Sequence, residues 1–145
     1  MRAYLDTNIL VAASVQGHPH HSPAFALVES VKTGSIRGCV STHGLAEYYS
    51  VLTRAPFSPR VHPADAGRFL EENVLPWFDV VEILTDDYCA VLRSCAVGGL
   101  IGGIVFDALH LHCARKSECD RIYTFNVRDF RAIAPKELED KITAP

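Results

Sequence analysis

The run Ala3-Tyr4-Leu5-Asp6-Thr7-Asn8-Ile9-Leu10-Val11 constrains this chain more than any other segment. A short apolar stretch delivers one carboxylate, two small polar residues follow at once, and apolar residues resume. This pattern predicts a buried strand ending at Asp6 and a tight turn into a helix. In α/β folds ligands bind beyond the carboxyl ends of the strands. An acid at that position is therefore a candidate working residue, although capping of the helix that starts at Thr7 would also explain it.

The rest of the chain repeats the alternation. Pro23 sits where a helix begins, with Ser22 as a candidate cap, and that helix ends near Gly34. A strand is predicted over 37–41, then a helix capped by Thr42 and running to Arg54. Leu45, Tyr48, Tyr49 and Leu52 form one apolar stripe on it, while His43, Glu47, Ser50 and Arg54 share another face. Pro56, Pro59 and Pro63 mark a loop. A helix over 64–75 and a strand over 80–84 follow. Thr85 is the expected cap of the next helix, with Asp86 and Asp87 placed to complement its dipole. The glycine-rich segment 98–103 is expected as a flexible connection to a helix over 105–116. A strand over 121–125 and a polar tail from Pro135 complete the pattern. Strands alternating with helices imply an α/β fold, a single-domain three-layer α/β/α sandwich with a mostly parallel sheet over residues 1–145.

Composition narrows the class. The chain has 145 residues, 48% hydrophobic and 21% charged, so it is long enough for one core and lacks a disorder signature. No apolar run approaches the ~18 residues of a membrane span, and no signal segment follows Met1. A cytoplasmic protein without membrane association is expected. Five cysteines without a C-x-x-C pair fit reduced, buried thiols. The net charge of −3 does not mark a nucleic-acid binder, but clustered acids offset by bound cations would produce the same total.

Asp6, Glu47, Asp107 and Asp129 lie in four different predicted elements. Each has a simple local explanation: a cap, a solvated helix face, helix-dipole complementation and a turn. Together they suggest carboxylates converging on a hard-cation site. Asn126 and Asp129 follow the last predicted strand, where an Asx turn is the simple reading, and Thr124 reads most simply as a strand residue. His18, His20 and His21 match no zinc spacing and read as an exposed loop. His110 lies three residues beyond Asp107, and local helix packing is its simplest reading. The glycines of 98–103 lack the Lys-Ser/Thr ending of a phosphate-binding loop. Arg54, Arg60, Arg115, Lys116 and Arg128 form no dense basic run.

Four segments in order, Leu5-Asp6-Thr7-Asn8-Ile9-Leu10, Ala46-Glu47-Tyr48-Tyr49-Ser50-Val51-Leu52-Thr53-Arg54, Phe106-Asp107-Ala108-Leu109 and Thr124-Phe125-Asn126-Val127-Arg128-Asp129-Phe130, resemble a PIN-domain ribonuclease, within that family a VapC-type toxin. The resemblance implies a PIN-like fold, a carboxylate pocket holding Mg²⁺ or Mn²⁺, and endonucleolytic cleavage of RNA. It also implies a small antitoxin protein that covers the pocket, and commonly a homodimer. Asp6, Glu47 and Asp107 match the three central acids. Where the family often has its last acid this chain has Asn126, so either Asp129 supplies the fourth charge or three acids hold the site. Thr7, Asn8 and Thr124 would support the ligands, and Asn126 would position substrate or water. An RNA-processing nuclease without an antitoxin and a non-catalytic PIN module are the alternatives. An aspartyl-phosphate enzyme is disfavoured because Asn8 replaces the second Asp such chemistry uses.

Overall fold

A computed structural model describes all residues from Met1 to Pro145. Its elements run β1 (Arg2–Leu5), α1 (Thr7–Ser14), α2 (His21–Lys32), β2 (Arg37–Ser41), α3 (Thr42–Arg54), α4 (Pro63–Asn73), β3 (Asp79–Val81), α5 (Thr85–Gly98), α6 (Ile104–Lys116), β4 (Arg121–Tyr123), α7 (Val127–Ile133), α8 (Lys136–Glu139) and β5 (Ile142–Thr143). The strands form one sheet in the order β3-β2-β1-β4-β5. Every pairing is parallel.

Side chains of a strand alternate between faces, and β1 is apolar on both. Ala3 and Leu5 enter a core built with α1, α2, α3 and α4. Tyr4 enters a second core with Cys39, Ile122 and residues of α6, α7 and α8. The expected three layers follow from this division. Strand order reverses beside β1, because β2 and β3 extend to one side and β4 and β5 to the other. That reversal opens a crevice past the carboxyl ends of β1 and β4.

Several local expectations shift. The strand expected over 80–84 is β3, Asp79–Val81, because its partner β2 ends at Ser41 in register with Val81 and turns into α3. The strand expected through Phe125 stops at Tyr123, whose register partner Leu5 is the last residue of β1. Ser41, not Thr42, caps α3, its Oγ accepting from the Gly44 N–H at 2.9 Å. The Thr42 hydroxyl instead accepts from the Ile83 N–H. Helix α2 begins at His21 without a side-chain cap, and Thr85 lies inside α5. The Asp87 carboxylate caps α5 by accepting from the Leu84 N–H at 2.8 Å, and it also binds His112 and Lys116. Helix α5 continues through Gly98 and stops at Gly99, whose φ of 65° is cheap for glycine. Tyr49 departs from the apolar stripe of α3 and is exposed. All five cysteines are free. No helix is long and apolar enough to cross a membrane.

Gly38 on β2 lets the sheet meet the second layer closely. A Cβ there would lie 2.7 Å from the Phe78 ring and 2.8 Å from Val31. Gly38→Ala is therefore expected to destabilise the fold by about 1–3 kcal/mol. Urea unfolding of the purified variant checks this, and an unchanged midpoint would show that Phe78 and Val31 relax freely.

Candidate metal and catalytic site

Asp6 occupies the first position after β1, where its backbone N–H bonds the Tyr123 carbonyl at 3.0 Å. It stands at the N-cap of α1, yet its side chain makes no capping bond. Instead its Oδ2 accepts from the fully buried Thr124 hydroxyl at 2.7 Å. Thr124 Oγ1 in turn accepts from Asn8 Nδ2 at 3.2 Å and from the Asn126 N–H at 3.0 Å. One donor and two lone pairs are thus all engaged. Asn8 Oδ1 accepts from the Phe125 N–H at 3.2 Å, which ties α1 to the segment after β4. Asn8 and Thr124 hold the site together from behind.

Glu47 reaches the same crevice from α3. Its Oε2 accepts from the Thr7 hydroxyl at 2.7 Å and from His110 Nε2 at 2.8 Å. The helix surface that would suit a solvated glutamate here faces α1 and α6. Gly44, one turn earlier, permits that approach. A Cβ on it would meet Ser41 Oγ at 3.2 Å and both His110 and Thr7 at 3.4 Å.

His110 is 1% exposed and is not a local packing residue. With its proton on Nε2 it donates to Glu47, while Nδ1 accepts from the Tyr4 hydroxyl at 2.7 Å. Asp6 Oδ1 lies 3.6 Å from the same Nε2. Burial pulls the His110 pKa down, but the Glu47 bond and the charges of Asp6, Glu47 and Asp107 outweigh it and leave it raised. Burial raises the Asp6 pKa despite His110 and Thr124. At Glu47 burial is outweighed by the bonds from His110 and Thr7, and its pKa is lowered. Sequence reasoning missed His110 and Tyr4 as site residues. The spacing Asp107–His110, one helix turn, was the available signal.

Asp107 is half-buried in the first turn of α6 and has no hydrogen-bonding strut. Burial, then the charge of Asp6, with further contributions from Glu47 and Asp129 against His110, push its carboxyl up to about 6. Asp6, Glu47 and Asp107 therefore share one electrostatic field. Asp129 lies at the rim. Its side chain is 67% exposed, 3.8 Å from Arg128 Nε, and only its charge reaches Asp107. Asn126 is exposed and positions its backbone, not its side chain, against Thr124. The loop histidines His18, His20 and His21 form no metal-binding group, whereas His43, Glu47 and His110 bring ligand atoms within 4.8 Å of one another.

Comparison with known proteins agrees with this architecture. The family model of the PIN domain matches residues 3–136. Ribonuclease VapC27 of Mycobacterium tuberculosis is 31% identical over 138 residues, which cover 95% of this chain and 90% of that protein. The chain belongs to the PIN domain family. The crystal structure of Mycobacterium tuberculosis VapC20, described as a sarcin-ricin loop cleaving toxin, superposes with a TM-score of 0.69 at 21% identity, covering 90% of this chain and 93% of that one. VapBC2 from Rickettsia felis, bound to a DNA fragment from its promoter, gives a TM-score of 0.60 at 20% identity, covering 91% and 92%. Both share the fold.

The crowding of carboxylates has a measurable cost. Because the folded-state pKa of Asp107 is raised, the metal-free protein loses stability as pH rises from the ordinary carboxylate range through about 6. Asp107→Asn removes that charge. It should stabilise the metal-free protein at pH 7.5 by about 1 kcal/mol after solvent screening, or ~3 °C in Tm. The gain should vanish near pH 4. A thermal melt in EDTA showing no gain at pH 7.5 would argue against crowding at this position.

Proposed function

We propose that this chain is a divalent-metal-dependent endoribonuclease, one nuclease domain over residues 1–145, and the toxin of a toxin–antitoxin pair. The observation that carries the reading is Asp6 at the end of β1, facing Glu47 across His110, with the Asp107 carboxyl of α6 feeling the charges of both. The names of its relatives, a ribonuclease and a toxin that cleaves the sarcin-ricin loop, support it.

The donor set suits a hard cation. Carboxylate oxygens at an open crevice are what Mg²⁺ or Mn²⁺ takes, with water filling the remaining positions. Burial first, and then the charges of Asp6, Glu47 and Asp129, raise the Asp107 pKa, and a cation would offset the charge contribution. Asp6, Glu47 and Asp107 would hold it, with Asp129 adding charge at the rim. When bound, the cation offsets the phosphate charge and lowers the pKa of an attacking water.

The residues divide the remaining work. Thr124 fixes Asp6 Oδ2 and leaves Oδ1 facing the crevice side of His110. Thr7 and His110 fix Glu47 Oε2 and leave Oε1 without a protein partner. Asp107 keeps both oxygens free of hydrogen bonds. Fixed carboxylates with unengaged oxygens are preorganised for a cation and for the developing charge of phosphodiester cleavage. Asn126 lies at the open side, where an RNA strand would enter. A small antitoxin would cover that opening, as the paired names of the Rickettsia felis VapBC2 complex suggest. Pairing of two copies would use exposed apolar residues such as Leu92, Val97 and Ile101.

Purified protein should cleave RNA in Mg²⁺ or Mn²⁺, stop in EDTA and recover on metal addition. Loss of a supporting residue around a metal commonly costs 10–100-fold, so Asp6→Asn should lower the rate more than ~100-fold with the fold intact. Undiminished cleavage by Asp6→Asn would refute the assignment.

The fourth position has its own test. Asp129→Ala should weaken Mg²⁺ binding measured by calorimetry more than Asn126→Ala does, because only Asp129 carries charge toward Asp107. Equal affinities in Asp129→Ala and the parent would leave a site held by three acids.

A further inference from the structure

His43 and Glu47 are four residues apart on α3 and so present one face of the helix. His110 faces them from α6. Their ligand atoms lie within 4.8 Å of one another, and Glu47 Oε2 is 2.8 Å from His110 Nε2. His43 Nε2 is buried and has no hydrogen-bond partner. A buried ring nitrogen without a partner carries a desolvation cost that a protein normally avoids. The His43 ring is also held in place. It stacks on Phe106 with centroids 5.1 Å apart and planes at 12°, and meets the His110 ring edge-on at 5.7 Å.

We infer that His43, Glu47 and His110 form a second cation site, one that takes a borderline transition metal such as Zn²⁺ and excludes Mg²⁺. Two imidazoles and one carboxylate are the donors of three-ligand zinc sites that leave a fourth position open. Imidazole selects Zn²⁺ and its neighbours over Mg²⁺. A tetrahedral zinc with ~2.0–2.1 Å bonds keeps its ligand atoms roughly 3.3 Å apart, so the group closes by no more than about 1.5 Å. Tyr4 completes the arrangement. With zinc on Nε2, the His110 ring proton sits on Nδ1 and donates to the Tyr4 hydroxyl oxygen, the outer partner that metal-bound histidines ordinarily have. Asp6 Oδ1, 3.6 Å from His110 Nε2, is placed to supply the fourth donor.

The site shares Glu47, and through the fourth donor Asp6, with the carboxylate pocket. Zinc occupancy therefore withdraws ligands from that pocket, and zinc acts as an inhibitor. The binding stands independently of the nuclease reading; the inhibition rests on it.

The test uses the full chain, purified metal-free, titrated with Zn²⁺ alone and with Mg²⁺ alone at pH 7.5. Calorimetry gives affinity and stoichiometry, and Co²⁺ absorption in the visible reports nitrogen coordination. The parent should bind one Zn²⁺ more tightly than Mg²⁺. His43→Phe keeps the stack on Phe106 and removes both nitrogens. It should weaken Zn²⁺ by about tenfold or more and change the Co²⁺ spectrum, with Mg²⁺ affinity shifted less than about twofold. His43→Asn serves if the phenyl ring perturbs folding, as judged by circular dichroism. Asp107→Asn should do the reverse, weakening Mg²⁺ and sparing Zn²⁺. The proposal falls if the parent binds no Zn²⁺, if His43→Phe keeps parental Zn²⁺ affinity, as a site on His18, His20 and His21 would, or if both metals weaken together in both variants. Inhibition of Mg²⁺-supported RNA cleavage by Zn²⁺, relieved in His43→Phe, tests the consequence. A parent that binds Zn²⁺ as described but cleaves no RNA would overturn the nuclease reading and leave the zinc site standing.

Discussion

The hydroxyl of Thr124 is the joint on which the crevice depends. It donates to Asp6 and accepts from Asn8 and from the Asn126 backbone, so the ends of β1 and β4 are held to one geometry. A parallel sheet leaves adjacent strands with unpaired backbone where each chain turns away, and here that gap is closed by side chains. The closure is buried, where hydrogen bonds are strong and unmet groups are costly. The aim of the Asp6 carboxylate follows from this one atom.

Repulsion among the acids is balanced by a different device. His110 lies between Asp6 and Glu47, with Tyr4 fixing its far nitrogen. The imidazole softens the field without neutralising it, as the elevated Asp107 carboxyl records. In the proposed site, a bound cation would offset the negative charge that His110 leaves unbalanced. Glu47 is the donor common to the two proposed sites, one of oxygens and one with imidazole nitrogens, so in that proposal metal identity would decide which is used.

Much of this was legible in the residues themselves. The run into Asp6 announced a strand end, and the alternation of elements announced three layers and a parallel sheet. Element ends were less legible because a ladder stops when its partner stops. Ile83 and Leu84 have strand-like character, but β2 has already become α3 opposite them. Glu47 alone looked solvated, since helical periodicity shows which face is polar but not which neighbour that face meets. His110 looked like packing for the same reason: the Tyr4, Glu47 and Asp6 partners that give it meaning are remote in sequence. Thr124 reads from its position as a strand residue, and only the resemblance to a known family marks it as a support for a carboxylate, the role its bond to Asp6 fills.

Asp6 and Thr124 are separated by 118 positions, and their bond joins the ends of the adjacent strands β1 and β4. On the ribosome, β1 emerges early and acquires β2 soon after, but β4 must wait for most of the chain. Such distant pairing is paid in loop-closure entropy and makes the last step of assembly slow relative to local helix formation. At about 5–20 residues per second, translation adds several seconds between the appearance of Asp6 and that of Thr124. The crevice is therefore assembled late, and a chain interrupted before β4 carries its first acid without the strut that aims it.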